Sequence, residues 1–237
     1  DLVTGVQTCA LPISSNQTDA HEQLEHVVRQ HLDIPWRAPL AGHTVEAFES
    51  LKELLVLDES RSLILDSGCG TGRSTRELGR MYPDCVVIGV DRSAHRLRSG
   101  TGRTCWPFRE GNCVWLRAEL TSFWRLLLDE GWSLHRHYFL YPNPWPKYSQ
   151  LRKRWHGHPV FPVILRLGGL IELRTNWSIY AQEFARAAEL ATGQAAGMES
   201  LIAAEPISPF ERKYAASGHP LYRVQWDGGV YTRFGMQ

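Results

Sequence analysis

A glycine-rich turn between an apolar run and a polar helical segment constrains the fold of this chain more than any other feature. Ser62 to Leu65 form a short apolar run, which is followed by the seven residues DSGCGTG from Asp66 to Gly72. Glycine lets the backbone turn sharply and approach a ligand closely, and a helix that begins after such a turn offers free N–H groups. The pattern predicts a strand, a ligand-binding turn and a helix from Arg73 to about Met81.

Apolar runs and helical segments alternate along the rest of the chain. Further strands are predicted for Cys85 to Val90, Asn112 to Leu116, His137 to Tyr141 and Gly168 to Arg174. The tail from Leu221 to Phe234 predicts a final strand pair around Asp227-Gly228-Gly229. Unbroken apolar strands separated by helices are typical of parallel sheets. We therefore predict an α/β fold with a doubly wound, mostly parallel sheet, helices on both faces and a C-terminal strand pair.

Acidic and amide side chains stand at or just after the ends of the predicted strands. Ligands of parallel sheets bind at the carboxyl ends of the strands, so one cleft is expected to hold all of these side chains. They are Asp66, Asp91, Glu119 and Asn143.

The acid before the glycine turn favours S-adenosylmethionine as the cofactor. A carboxylate two residues before the first glycine suits a cationic amino-acid group better than a pyrophosphate, and Asp91 is spaced to accept two ribose hydroxyls, as in dinucleotide folds. The predicted cofactor-binding glycines are Gly68, Gly70 and Gly72. A dinucleotide, whose fingerprint is G-x-G-x-x-G, and a purely structural turn are the alternatives.

The segment Tyr141 to Lys147, with the sequence YPNPWPK, predicts a stiff loop after the fourth strand, because its three prolines stop regular structure. No Asp or Glu occurs from Gly131 to Ile171. That stretch contains Arg152, Lys153 and Arg154 among several aromatic residues, and such residues can neutralise phosphates and stack on bases. A stiff connector beside a solvated charged face is the alternative, since the net charge of +1 does not by itself indicate a nucleic-acid partner.

Together these motifs resemble the tRNA (guanine-N7)-methyltransferases, which are class I enzymes with a Rossmann-like fold. The family pattern contains E-x-G-x-G-x-G, G-I-E, D-A, F-P-D-P-W-P-K, T-D-W and T-x-x-E. The resemblance covers roughly Leu63 to Tyr222, and the order agrees throughout. The counterparts here are Asp66 to Gly72, Gly89-Val90-Asp91, Glu119-Leu120, Tyr141 to Lys147, Thr175-Asn176-Trp177 and Ser208 to Glu211.

The resemblance implies methyl transfer from S-adenosylmethionine to guanine N7 in tRNA. It implies cofactor contacts at Asp66, Asp91, Glu119 and Asn143, and substrate contacts at Lys147, Asn176, Ser208 and Glu211.

Two asparagines depart from the family pattern. Asn143 occupies the position of the family's catalytic aspartate, and Asn176 replaces a second aspartate. An asparagine can position a substrate but cannot offset a developing positive charge. A methyltransferase acting on another RNA or a small molecule, and a catalytically impaired RNA-binding paralogue, are therefore the alternatives.

Three segments and several general properties complete the expectations. Residues 1–14, DLVTGVQTCALPIS, resemble a translated sequencing adapter and are expected not to be native; residues 15–58 are expected to be a loose arm and a helix, and residues 59–237 the methyltransferase domain. The five cysteines form no C-x-x-C pair, which predicts no metal site and a reduced, cytoplasmic protein. No apolar run approaches the ~20 residues that span a bilayer. We expect no membrane contact, tRNA as partner, and a monomer or homodimer.

Overall fold

One eight-stranded sheet organises residues 11–56 and 61–228, which are the residues that the computed structural model describes. Its strands are β1 (Leu63–Ser67), β2 (Val86–Asp91), β3 (Phe108–Glu110), β4 (Cys113–Arg117), β5 (Arg136–Leu140), β6 (Leu170–Thr175), β7 (Gly197–Ser200) and β8 (Tyr222–Asp227). The order across the sheet is β3-β4-β2-β1-β5-β6-β8-β7. The five central strands are parallel, whereas β3, β8 and β7 pair antiparallel with their neighbours.

Helices cover both faces of this sheet. They are α1 (Leu24–Asp33), α2 (Gly42–Leu55), α3 (Arg73–Met81), α4 (Ala94–Thr101), α5 (Leu120–Asp129), α6 (Phe161–Arg166), α7 (Ser178–Thr192) and α8 (Pro209–Ala216). Helices α1, α2, α5, α6 and α7 contribute to the larger core on one face, and α3 and α4 pack over a smaller core on the other. The predicted doubly wound, mostly parallel fold is confirmed.

The strand order reverses between β1 and β5, where the chain has crossed from one half of the sheet to the other. Loops that leave the carboxyl ends of adjacent strands diverge at such a point and open a crevice. The register pairs Asp66 with Tyr138, so β1 and β5 end side by side. The crevice therefore lies between the glycine turn and the proline loop.

The arm before α2 is better ordered than the sequence suggested. It contains the predicted short helix, α1, and that helix buries Leu24, Val27, Val28 and Leu32 in the larger core. Ile13 also packs against this core, while residues 1–10 of the adapter-like segment lie outside the described residues. The proposed domain limits stay a prediction.

A C-terminal antiparallel strand pair is present, but it is formed by β7 and β8. The hairpin predicted around Asp227-Gly228-Gly229 would need residues beyond Gly228, which lie outside the described part of the chain. β8 also pairs with β6 along its whole length, from Leu170–Asp227 to Thr175–Tyr222. β8 therefore lies between β6 and β7, and β7 forms the edge of the sheet.

Within residues 11–56 and 61–228, no helix is long and apolar enough to cross a membrane. Among the same residues, no cluster of His, Cys, Asp or Glu side chains could hold a metal ion.

Candidate cofactor and substrate site

The predicted site residues gather at the carboxyl edge of the sheet. Asp66 and Asp91 lie at the ends of β1 and β2, and Glu119, Asn143 and Asn176 follow β4, β5 and β6. Because these five strands are parallel, their carboxyl ends share one edge. The fold brings these five positions to one edge, where the strand pattern had predicted Asp66, Asp91, Glu119 and Asn143.

Asp66 is a buried carboxylate with one unused oxygen. Its Oδ2 accepts hydrogen bonds from Ser74 Oγ at 2.7 Å and Thr75 Oγ1 at 2.8 Å. Its Oδ1 has no partner among the described residues. Burial raises the pKa of Asp66 to about 6, although the two hydroxyls act against that rise. A buried carboxylate oxygen without a hydrogen-bond donor destabilises the folded protein unless a ligand supplies the donor. A cationic ammonium group would supply one.

Asp91 fastens the glycine turn to β2. Its Oδ2 accepts the N–H of Gly70 at 3.0 Å, and its Oδ1 accepts the N–H of Ser93 at 2.8 Å. The Arg96 guanidinium lies 3.4 Å from the same Oδ1. The Gly68 N–H also donates to the Val90 carbonyl at 2.8 Å. These contacts hold the turn in a defined shape.

The three predicted cofactor glycines have two different surroundings. Gly68 and Gly70 have φ angles of +81° and +60°, and a Cβ added to either would meet no atom within 4 Å. Gly72, with φ +74°, faces Trp115, whose Nε1 would lie 2.0 Å from an added Cβ. Gly68 and Gly70 thus border open space that a ligand could fill. Gly72 permits the close packing of Trp115, which donates to its carbonyl at 3.2 Å.

Glu119 caps the start of α5. Its carboxylate accepts the N–H of Thr121 at 2.9 Å and the N–H of Ser122 at 2.7 Å. Burial raises the pKa of Glu119, but the hydrogen bonds from the Thr121 hydroxyl and from these two N–H groups outweigh burial and hold the pKa below its ordinary value. The Glu119 N–H donates to Thr44 Oγ1 at 2.9 Å, which connects α2 to this edge. Both carboxylate oxygens of Glu119 therefore accept hydrogen bonds from the first turn of α5.

The proline loop projects Asn143 into solvent. Asn143 is exposed, and its Oδ1 accepts the N–H of Trp145 at 3.4 Å. Tyr141 and Trp145 flank it with φ angles of 53° and 47°. Left-handed backbone at residues other than glycine costs about 1–3 kcal/mol and persists only where surrounding structure enforces it. The loop is thus held in a defined, strained shape.

Arg154 enforces this shape from inside the protein. Its Nε and Nη2 donate to the Trp145 carbonyl at 3.2 and 3.1 Å, and Nη2 also lies 3.4 Å from the Lys147 carbonyl. Arg154 is fully buried. The expectation that Arg154 would contact phosphates is wrong, because its guanidinium is enclosed and bonded. Lys147, Arg152 and Lys153 are exposed.

Glu183 of α7 balances the buried arginine, and sequence reasoning missed it. Its carboxylate accepts from Arg154 Nη1 at 2.5 Å, from Gln17 Nε2 at 2.7 Å and from the His21 N–H at 2.9 Å. His156 Nε2 lies 2.8 Å away. One carboxylate therefore joins the arm, the proline loop and α7. The pairing could not be read from the sequence around Arg154, because Glu183 lies 29 residues further along the chain and outside the acid-free stretch.

Three of the four positions matched to the family's substrate contacts, Asn176, Ser208 and Glu211, lie at or near α8, and the fourth, Lys147, ends the proline loop. Asn176 Nδ2 and His219 Nδ1 are 3.2 Å apart, the His219 ring stacks on Tyr214 at 5.3 Å, and the Tyr214 ring lies 5.4 Å from Tyr141. This chain of contacts connects Asn176 to the base of the proline loop.

Ser208 and Glu211 organise the start of α8. Ser208 caps the helix by accepting the Glu211 N–H at 3.1 Å. Glu211 is fully buried, and its carboxylate accepts from Arg174 Nη1 at 2.9 and 3.1 Å. Glu211 therefore fixes α8 against β6 and has no surface of its own in the crevice.

Residues 60–224 match the family model described as "Putative methyltransferase". The chain belongs to this methyltransferase family. Among similar curated proteins is the tRNA (guanine-N(7)-)-methyltransferase of Shewanella piezotolerans, 26% identical over 209 residues, which are 84% of this chain and 83% of that protein. The protein of the same name from Neisseria meningitidis serogroup A is 27% identical over 182 residues, 74% of each chain.

A solved structure with the same fold is a mutant 16S rRNA (adenine(1408)-N(1))-methyltransferase from Catenulisporales acidiphilia with cosubstrate SAM. It is 14% identical, has a TM-score of 0.53, and is matched over 78% of this chain and 93% of its own. At this identity the likeness establishes the shared fold.

Proposed function

We propose that this methyltransferase transfers a methyl group from S-adenosylmethionine to N7 of a guanine in tRNA. One observation carries the proposal. The glycine turn and the P-x-P-W-P-K loop stand side by side at the ends of β1 and β5, where the strand order reverses. A cofactor at the first and a base at the second would meet in one crevice. Two curated relatives that carry this activity in their names support the choice of substrate.

The residues at the glycine turn fit the cofactor. The unpaired Oδ1 of Asp66 suits the ammonium of its methionine part, and the open space before Gly68 and Gly70 accommodates a ligand close to the backbone. Asp91 lies beside this space and retains acceptor capacity for ribose hydroxyls. When bound, the cofactor supplies an electrophilic methyl group. We assign cofactor contacts to Asp66, Gly68, Gly70 and Asp91, with Gly72 and Glu119 shaping the edges of the site.

Methylation at guanine N7 requires little acid–base chemistry. N7 carries a free lone pair, so no proton has to leave before attack, and the protein mainly has to align the reacting atoms. Asn143 stands on a rigid, exposed loop and can orient the base through its amide. We assign it this positioning role at the reacting base. Lys147 and Asn176 are proposed to face the RNA. The buried Ser208 is proposed to support the substrate side by capping α8, and Glu211 by holding Arg174 and α8.

The proposal is tested with unmodified tRNA transcript and methyl-labelled cofactor, followed by identification of the modified nucleoside by mass spectrometry. We expect 7-methylguanosine. A matched transcript carrying 7-deazaguanine, which lacks N7, should accept no label at the target. Label in another nucleoside would indicate a different RNA methyltransferase, and cofactor binding without any transfer would indicate an impaired RNA-binding paralogue.

We further propose a cytoplasmic location, where tRNA and reduced thiols are found. The described cysteines are all free. Sedimentation of the protein with and without tRNA distinguishes the monomer from the homodimer.

A further inference from the structure

A basic cavity lies between α3 and the start of α8, apart from Lys147 of the proline loop and the exposed Arg152 and Lys153 that follow it. It has a volume of about 250 Å³. Four arginines line it, Arg73, Arg76 and Arg80 from α3 and Arg212 from α8, together with Ser208. One carboxylate, Glu77, lies among them.

Two of these arginines are available to a ligand. Arg76 donates to the Gly100 carbonyl at 3.0 Å and lies 3.4 Å from Glu110, and Arg80 pairs with Glu77 at 3.1 Å. Arg73 and Arg212 are exposed, and their guanidinium groups have no hydrogen bond or ion pair within residues 11–56 and 61–228. The cavity therefore presents an excess of positive charge with two unpaired guanidinium groups.

The cavity adjoins both halves of the proposed site. Arg73 is the first residue of α3 and directly follows Gly72 of the glycine turn. Ser208 caps α8, and the same helix carries Tyr214, whose ring touches Tyr141 at the base of the proline loop. An RNA strand with a base in the crevice would pass close to this cavity.

We propose that this cavity is a subsite for a backbone phosphate of the RNA substrate, bound by Arg73 and Arg212. The inference rests on the proposed function and extends it to two arginines that directly follow the glycine turn and the Ser208–Glu211 motif. A guanidinium fork matches phosphate oxygens with two parallel hydrogen bonds. Arg76 and Arg80 add positive potential from one side. The subsite anchors the strand while the crevice selects the base, since phosphate contacts position a nucleic acid and carry no sequence information.

The test compares the wild-type protein with Arg73→Ala/Arg212→Ala and with Arg29→Ala/Arg186→Ala. The control pair removes the same charge from exposed positions on α1 and α7, on the opposite face of the sheet. Four quantities are measured for each protein: the affinity for a tRNA transcript at several salt concentrations, the affinity for S-adenosylmethionine, the single-turnover methylation rate at saturating tRNA, and the melting temperature. Inorganic phosphate is titrated as a separate ligand.

The double variant in the cavity should bind tRNA on the order of tenfold more weakly and reduce the salt slope by about one to two units, because each lost phosphate contact reduces it by about one. Its cofactor affinity, melting temperature and rate at saturation should match the wild type. The control should bind tRNA normally.

Unchanged tRNA affinity and slope in the cavity variant, or an equal loss in the control, overturns the inference. Loss of phosphate binding with unchanged tRNA binding also overturns it and identifies a small-anion site. Wild-type protein that binds tRNA through these arginines but transfers no methyl group would refute the proposed function while supporting the subsite. Wild-type protein that binds no tRNA would refute both.

Discussion

Replacing Glu183 by alanine is expected to lower the free energy of unfolding by about 3–5 kcal/mol, the usual cost of leaving a buried charge unpaired. The substitution would leave the fully buried Arg154 without its carboxylate partner and would remove the acceptor for Gln17 and the His21 N–H. Burial alone would raise the pKa of Glu183, but His156 and Arg154 outweigh it and lower the pKa to about 2. The folded-state pKa of about 2 lies below the ordinary value of 4.5, and each unit of that difference corresponds to about 1.4 kcal/mol. The lowered pKa therefore corresponds to roughly 3 kcal/mol of stabilisation, which is within the expected loss of about 3–5 kcal/mol.

Urea denaturation at neutral pH measures this loss directly. Glu189→Ala on the same helix is the matched control, because Glu189 forms an exposed pair with Arg186 and such pairs contribute about 0–1 kcal/mol. The Glu183 contribution should be complete above pH 4.5 and should disappear as the pH falls towards 2, since the folded-state pKa is lowered. A loss below 1 kcal/mol in Glu183→Ala, or one no larger than in the control, would refute the reasoning.

Three further predictions concern the crevice. Cofactor affinity should rise with pH up to about 6 and then level off, because the raised pKa of Asp66 keeps its carboxyl protonated below that value. In calorimetry, the Asp66→Asn variant should bind the cofactor weakly and with an affinity that does not depend on pH. A wild-type affinity that does not change with pH would contradict the assignment. Asp91→Ala should weaken cofactor binding by ~2–5 kcal/mol, the cost of truncating a buried charged hydrogen bond, and calorimetry giving equal affinities would exclude that role. Asn143→Asp should raise the single-turnover methylation rate without tightening tRNA binding, because a carboxylate favours the cationic transition state over the neutral base; a slower variant would point to another substrate.

The central sheet was predictable because its strands contain short, largely apolar runs that alternate with helical segments. The run from Cys85 to Val90 corresponds to β2, Val86–Asp91, whose residues are all buried. The edges were missed for the opposite reason. β3, Phe108–Glu110, has three residues, none of them buried, and β7, Gly197–Ser200, is exposed throughout. Short exposed strands leave no hydrophobic pattern, so their pairing is decided by neighbours far away in the chain.

The site was predictable to the level of backbone position. The carboxyl ends of parallel strands lie at one edge of the sheet. The positions of Asp66, Asp91 and Asn143 at that edge could therefore be predicted from where the strands end in the sequence. What each side chain contacts depends on helices that approach from elsewhere. Arg154 stands in a stretch without acids, yet Glu183 on α7 and Gln17 on the arm enclose it. Local composition carries no record of such a partner.

The shared carboxylate has an evolutionary consequence for three separate stretches of sequence. Loss of Glu183 alone leaves the buried Arg154 guanidinium without its carboxylate partner, and loss of Arg154 alone removes the hydrogen-bond donor to the carbonyls of the proline loop. Replacement of the whole ionic group by apolar residues of similar volume is often neutral or stabilising, whereas removal of one member is not. Gln17, Arg154 and Glu183 are therefore expected to change together along a lineage, so that the arm diverges only in step with the loop it supports.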